Sequence, residues 1–289
     1  MTTPSGNGTG NQGDLRTWLN IPDNQSQGLV KSLDPKAHMF GFWKENTRPD
    51  GRMFSQARQT QVVSSLLKHS AGSALVKQGD TKVLTAMTVQ IGQPAPELPD
   101  HGDVLVCVST SDQSRLDILQ SWLQRMMDDM LPPKLNLITG KACLRLVVTV
   151  LVLQDSGNLM DASLLACMAA WKDTTLPTME HFTEVQGKLY WKDKPASSLV
   201  GKPTQKDDKD YRISLSMGVI TNEKGDTKFL VDPTGEEAMF CEGRLTIVVS
   251  LSSRALQLEY SGSTSLSATD LALATKMANG RTEELARLL

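Results

Sequence analysis

Asp232-Pro233-Thr234-Gly235-Glu236-Glu237-Ala238 gathers three carboxylates into six residues and then stops at an alanine. It lies between a short apolar run, Phe229-Leu230-Val231, and a longer one, Leu245-Thr246-Ile247-Val248-Val249. Acids held at the mouth of a sheet can bind a metal or serve as general acid and base. The competing reading is a polar turn between two strands, with Pro233 and Gly235 as its turn residues. Spacing alone leaves both open.

Three further polar segments stand upstream. Glu45-Asn46-Thr47-Arg48-Pro49-Asp50-Gly51-Arg52 is a turn flanked by two arginines. Residues 72–83 read as two short strands around a tight turn, with Lys77 and Lys82 on either side of it. Asp155-Ser156-Gly157-Asn158-Leu159-Met160-Asp161-Ala162 closes a strand and opens a helix. In this order and at these distances the four segments resemble the RNase PH family, over about residues 34–280. Their wording is most similar to the inactive, ring-forming subunits of the eukaryotic RNA exosome.

The resemblance implies an α+β RNase PH fold of two βαβ-type halves, each of the ribosomal-protein-S5 domain 2-like kind. It implies a six-membered ring of RNase PH-like exosome subunits, S1/KH-domain cap subunits, and RNA threaded through the ring pore. It also implies work in 3′-to-5′ RNA processing and degradation, including rRNA maturation, in nucleus, nucleolus and cytoplasm.

Phosphorolysis of RNA needs cationic groups for the attacking phosphate and the backbone, and an acid for the leaving oxygen. In active members of the family, as the resemblance implies, arginines around the helix after the fourth or fifth strand hold phosphate and RNA. A later Asp-x-x-x-x-Glu-Asp run carries the acid. Here the first segment, residues 109–117, has one arginine, Arg115, and two aspartates, Asp112 and Asp117. Asp112 puts negative charge where a helix N-terminus otherwise welcomes an anion. In the second, Glu237 fits the glutamate and Ala238 replaces the following acid. A methyl group neither donates a proton nor binds a metal. Asp232, Glu236, Glu237 and Ala238 therefore read as a degenerate acidic site, with capping or pairing roles left to the acids. The chain reads as non-catalytic, with no cofactor and no metal ligand assigned. The alternative is an active phosphorolytic 3′-to-5′ exoribonuclease whose site is shared with a partner subunit. Arg48, Asp50, Gly51 and Arg52 read as a structural turn, with RNA contact by the arginines as the rival use.

The whole chain agrees with an assembled, soluble protein. Of 289 residues, 39% are hydrophobic and 21% charged, enough for a large core. A formal charge of −2 argues against a free nucleic-acid binder. Cys107, Cys143, Cys167 and Cys241 have no zinc spacing and read as reduced core residues. The four histidines are scattered without metal spacing. The first residues lack the apolar core of a signal peptide. The longest aliphatic run, residues 146–153, is far short of the ~20 apolar residues that span a bilayer.

Elements able to hold these segments follow from periodicity. Residues 1–32 read as a flexible tail and 33–46 as a helix capped by Asp34 and Pro35. The first half of the domain covers 47–200. It holds strands at 58–67, 72–77, 82–89, 104–108 and 142–154. Its helices are one striped by Leu116, Leu119, Leu123, Met126 and Met130, and one over 159–173. Residues 201–210 form a polar boundary. The second half, 201–289, holds strands at 211–220, 227–231, 244–251 and 255–260. A final helix follows, opened by Ser267 and Asp270 as a capping box, and Gly280 is placed to break it.

Overall fold

Strict alternation builds one sheet with a bare outer face, and a helix apolar all round builds the layer beneath it. The computed structural model describes residues 31, 33–94, 96–110, 112, 116–130, 135–176, 182–185, 188–191, 211–222, 225–251 and 256–289. Residues 1–30 of the expected tail, the boundary at 201–210, and Ser111, Arg115 and His181 lie outside these.

Residues 1–53 and 54–289 form two compact units. In the first, α1 (Pro35–Lys44) opens at Asp34, whose carboxylate accepts the Ala37 N–H at 2.9 Å. Pro35 sits at the first turn, where its missing N–H costs nothing. Met39 and Trp43 are the helix's buried residues. Thr47 and Met53 then bridge antiparallel around the arginine-flanked turn.

The second unit begins with β1 (Thr60–Ser64), β2 (Gly72–Gln78), β3 (Thr81–Gly92) and β4 (Asp103–Ser109). After α2 (Leu116–Asp128) come β5 (Asn136–Ile138) and β6 (Ala142–Gln154). These strands form one sheet in the order β1-β2-β3-β6-β4, with β5 also on β6. Among the described strands only β4 and β6 run parallel, and α2 lies in the crossover that parallel pairing requires. Val104, Val106 and Val108 of β4 are buried, while Leu105 and Cys107 between them face solvent. Cys107 thus departs from the expectation of four core cysteines. It lies on the outward phase of the alternation. Cys143 and Cys167 are buried, Cys241 is half-buried, and all four are free thiols. Burial pushes the Cys167 thiol up to about 12.

α3 (Leu159–Asp173) is the middle layer. Every residue from Asp161 to Trp171 is buried, as an all-round apolar helix must be. It packs against β2 and β3 of the first sheet and β9 of the second. A hairpin, β7 (Phe182–Val185) with β8 (Lys188–Trp191), follows it. The second sheet, in the order β10-β9-β11-β12, is antiparallel throughout. It comprises β9 (Arg212–Thr221), β10 (Thr227–Val231), β11 (Gly243–Ser250) and β12 (Leu256–Gly262). One-turn α4 (Gly235–Ala238) lies between β10 and β11. α5 (Ala268–Ala286) covers the outer face of this sheet. There Leu215, Met217, Val219, Leu245, Ile247 and Val249 form a second core with Ala274 and Ala278. The class is α+β, as expected.

β6 and α3 coincide with the expected spans, because a continuous apolar run ends at a Gly-Asn turn. Short β5, the β7–β8 hairpin and α4 carry no periodic signal and were not expected. Gly280 does not break α5, which runs through it with both halves of the Ser267–Asp270 capping box formed. A Cβ at Gly280 would meet nothing within 4 Å. Gly280→Ala should therefore stabilise the fold by about 0.5–1 kcal/mol, a Tm gain of about 2 °C. Calorimetry showing a lower Tm would mean that the helix needs the glycine.

Candidate functional site

The acids of residues 232–238 do not converge. Asp232 follows β10 at φ +51°, a left-handed conformation uncommon outside glycine, and its side chain is completely buried. Its N–H donates to the Ser216 carbonyl at 3.1 Å. Its carboxylate receives Arg58 as a fork, Nε on Oδ2 at 2.8 Å and Nη2 on Oδ1 at 2.7 Å. The Arg58 backbone N–H adds a bond of 2.9 Å to Oδ2, and Asn158 Nδ2 one of 2.8 Å to Oδ1. Burial raises the carboxyl's pKa, but Arg58 and Asn158 outweigh it and hold Asp232 below the usual carboxylate range.

Arg58 is wholly committed to this corner. Nη1 reaches Thr81 Oγ1 at 3.4 Å and the Ser156 carbonyl at 3.3 Å, and Nη2 reaches the Gly157 carbonyl at 3.0 Å. All five of its donors are thereby used. The two carbonyls belong to the turn between β6 and α3. In that turn Gly157 at φ +99° and Asn158 at φ +54° are both left-handed. A Cβ on Gly157 would come within 2.2 Å of the Gly235 nitrogen, so only glycine fits. Asn158 Nδ2 also donates to Asp161 Oδ2 at 2.8 Å, and so joins two buried carboxylates. Asp161 accepts the Ser216 N–H at 2.7 Å and the Ser216 hydroxyl at 2.9 Å. Burial pushes the Asp161 carboxyl up, against those hydrogen bonds.

The remaining acids turn elsewhere. Glu237, also buried, closes a capping box. Its Oε2 accepts the Thr234 N–H at 2.8 Å, and its own N–H donates to Thr234 Oγ1 at 3.3 Å. Glu236 is exposed. Ala238 borders a cavity of about 350 Å³ that Pro233, Glu242, Arg244 and Ser261 also line. Capping, anticipated as one use of these acids, is realised in Glu237. The partner of Asp232 is Arg58 of the same chain, not a neighbouring subunit.

The upstream turn carries bonds of its own. Asp50 accepts the Arg52 N–H at 3.1 Å and Arg52 Nε at 2.6 Å, and the Gly51 N–H donates to the Arg48 carbonyl at 2.9 Å. Burial raises the Asp50 carboxyl's pKa, but Arg52 and the Arg48 charge bring it below its ordinary value. Arg48 itself is buried. Lys77 and Lys82 are cross-strand neighbours, the first exposed and the second half-buried. Of the phosphate-site segment, Asp117 opens α2, and Arg115 lies outside the described residues. Among the described residues no group of three His, Cys, Asp or Glu could hold a metal, and no helix is long and apolar enough to cross a membrane. The sequence reading missed Arg58, which sits in no motif. Asn158 and Asp161 were part of the third segment but had no role.

Arg58→Met should destabilise the protein by about 3–5 kcal/mol at neutral pH, because Asp232 is left charged and buried. A further Asp232→Leu change should recover much of that loss. The stability that the depressed Asp232 carboxyl contributes is full above the ordinary value near 3.9 and is lost as pH falls through its lower folded value. The acid-side slope should therefore shrink in Arg58→Met. Denaturant unfolding between about pH 2 and 7 tests both points, and an unchanged Arg58→Met curve would sink them.

The sequence pattern of the 3′ exoribonuclease family matches here twice, domain 1 over residues 56–177 and domain 2 over residues 210–280. "Exosome complex component Rrp42" of Pyrobaculum aerophilum is 32% identical over 217 residues, covering 70% of this chain and 74% of that protein. The solved structure "Archaeal exosome core" shares the fold at a TM-score of 0.70 and 24% identity, covering 93% of this chain and 99% of that one. The Archaeoglobus fulgidus exosome with RNA bound to the active site is similar at a TM-score of 0.68 and 25% identity, covering 87% and 96%. With its two domains matched in order and its fold shared over most of its length, the chain belongs to the 3′ exoribonuclease family, the RNase PH family.

Proposed function

We propose that this chain is a non-catalytic structural subunit of an RNA exosome ring. The observation that carries the reading is the fate of the acidic segment. Asp232 is neutralised by Arg58, Glu237 is consumed by a capping box, and Ala238, which borders the open cavity, has no acid to offer it. A buried, ion-paired carboxylate can neither reach a leaving oxygen nor donate a proton near neutral pH. The similarity to archaeal exosome subunits supports the ring. In this reading the chain sits among six RNase PH-like subunits beneath S1/KH-domain caps. RNA passes through the pore to a separate nuclease. The work is 3′-to-5′ RNA processing and degradation, rRNA maturation included, in nucleus, nucleolus and cytoplasm. Within such a ring its place is that of ribosomal RNA-processing protein forty-three, on the wording of residues 72–77 and 231–237.

The bare face of the first sheet supports an assembled state. Val63, Leu75, Leu84 and Leu151 form one row across four strands, with Val63 49% and Leu151 38% exposed. Leu105 and Leu153 are 44% and 54% exposed. Contiguous apolar surface of this kind commonly marks partner contact. Co-expression with a second RNase PH-like subunit should give a soluble heterodimer on size exclusion. A stable monomer that ignores every such partner would count against a ring role.

Catalysis gives the sharper test. The chain should release no nucleoside diphosphate from labelled single-stranded RNA with phosphate and magnesium, and neither should Ala238→Asp. Restoring one acid returns at most the ~10²–10⁴-fold of general acid–base help. Positioning and charge neutralisation contribute more than that to transfers at phosphorus. The Archaeoglobus fulgidus neighbour, with RNA in its active site, favours a second reading: an active exoribonuclease that shares its site with a partner. Activity that appears on adding a partner subunit and vanishes on mutating this chain alone would establish that second reading.

A further inference from the structure

A cavity of about 600 Å³ lies within the second unit, between residues 55–59 and α5. Sites for ligands have this size. Its floor is apolar. Leu215 and Val231 are buried members of the second core, and Ala57 and Met277 pack against that core half-buried. Gly280 and Arg281 of α5 form part of the wall.

Arg281 brings a charge that is nearly withdrawn from water, its side chain being only 9% exposed. Nη2 is spent on Thr60 Oγ1 at 2.7 Å and on the Arg58 carbonyl at 3.4 Å. Nη1 has one partner among the described residues, Glu284 Oε2 at 2.7 Å. The Glu284 side chain is 65% exposed, so the pair contributes little and opens at small cost. A carboxylate that enters the cavity and leaves water with the guanidinium makes a stronger bond to it. Glu284 thus holds a place that a better-buried carboxylate can take.

Gly280 points the same way. Glycine inside a helix is destabilising relative to alanine, and here a Cβ would meet nothing within 4 Å. Packing within the chain does not call for it. What the glycine does is leave a dent in the cavity wall, where another chain can come close. Opposite it the backbone of residues 55–57 is pinned on either side. The Phe54 carbonyl accepts the Val231 N–H at 2.8 Å, and the Arg58 N–H donates to Asp232. Between these points Ser55 and Ala57 make no hydrogen bond among the described residues, so their peptide groups are open to pairing with an extended strand. Among the described residues that line the cavity none is aromatic, so a nucleic-acid base has no platform to stack on.

We propose that this cavity is a docking groove for an extended acidic segment of a partner protein. One aspartate or glutamate side chain of that segment displaces Glu284 from Arg281. A small apolar side chain two positions along, on the same face of the extended chain, fills the dent at Gly280 above Leu215. The groove belongs to this chain alone and does not rest on the ring reading, so its test needs no other subunit.

The probe is a short fluorescein-labelled peptide of glycine and serine, amidated at its C-terminus, with one aspartate and, two positions on, one valine. Its anisotropy is read against the full chain. It should bind saturably, and more weakly as salt rises. Arg281→Gln should weaken it about tenfold to a hundredfold, and so should asparagine in place of the peptide's aspartate. Glu284→Gln removes the competing carboxylate and should tighten binding about twofold to fivefold. Gly280→Ala fills the dent and should weaken binding about fivefold or more while the Tm rises, a pairing that a merely structural glycine would not give. If Arg281→Gln fails to fold, Glu284→Gln and Gly280→Ala, both at exposed positions, carry the test. No saturable binding, binding indifferent to Gly280→Ala, or weaker binding in Glu284→Gln overturns the groove. An asparagine peptide that ends in a free valine carboxylate and binds as tightly assigns Arg281 to a chain terminus and overturns the side-chain contact. Displacement of the peptide by a short oligoadenylate RNA at lower concentration assigns the groove to RNA and overturns the protein partner.

Discussion

The buried pair of Arg58 and Asp232 is the constraint on which the second unit depends. Its guanidinium collects the end of β10, the start of β3 and the turn between β6 and α3. Those three points belong to both sheets and to the entry of the helix between them. A buried ion pair is weak evidence for stability, since desolvation offsets much of the attraction. Its value here is geometric. Five donors in a rigid plane fix the distances between backbone carbonyls and a carboxylate that hydrophobic contacts alone would leave loose. The left-handed backbone at Gly157, Asn158 and Asp232 is tolerated because that plane holds it in place.

Asn158 extends the same constraint. One amide nitrogen serves the carboxylates of Asp161 and Asp232, and Ser216 on β9 serves Asp161 twice. The two acids respond in opposite senses. Asp232, with a cation, is held below the usual carboxylate range, while Asp161, with only neutral donors, is pushed up by burial. Proximity to Arg58 thus separates two carboxylates of one network into a permanent anion and a group readier to take a proton.

Local pattern made much of the fold legible. The limits of β6 and α3, the Asp34 cap and the Ser267 capping box are written in neighbouring residues. What escaped was short or long-range. A four-residue helix and a four-residue hairpin strand have no period to detect. Arg58 reaches partners 23, 98, 99 and 174 positions away, and nothing in its own surroundings marks it. The acidic segment was visible as chemistry but not as geometry. Spacing put Asp232 and Glu237 in one cluster, whereas the left-handed turn at Asp232 sends its carboxylate inward and the next helical turn folds Glu237 back on Thr234. Cys107 shows the same limit, because alternation names two faces and does not say which one is covered.

The two uses of the acidic segment exclude each other. A carboxylate that fixes the junction between sheets must be desolvated, ionised and immobile. A carboxylate that serves a leaving group must reach substrate and exchange protons. In this chain Asp232 is spent on the first task and Glu237 on the capping box of α4, and Ala238, which borders the cavity, carries only a methyl group. Ala238 takes no part in the junction, so the architecture of the family persists without an acid at that position.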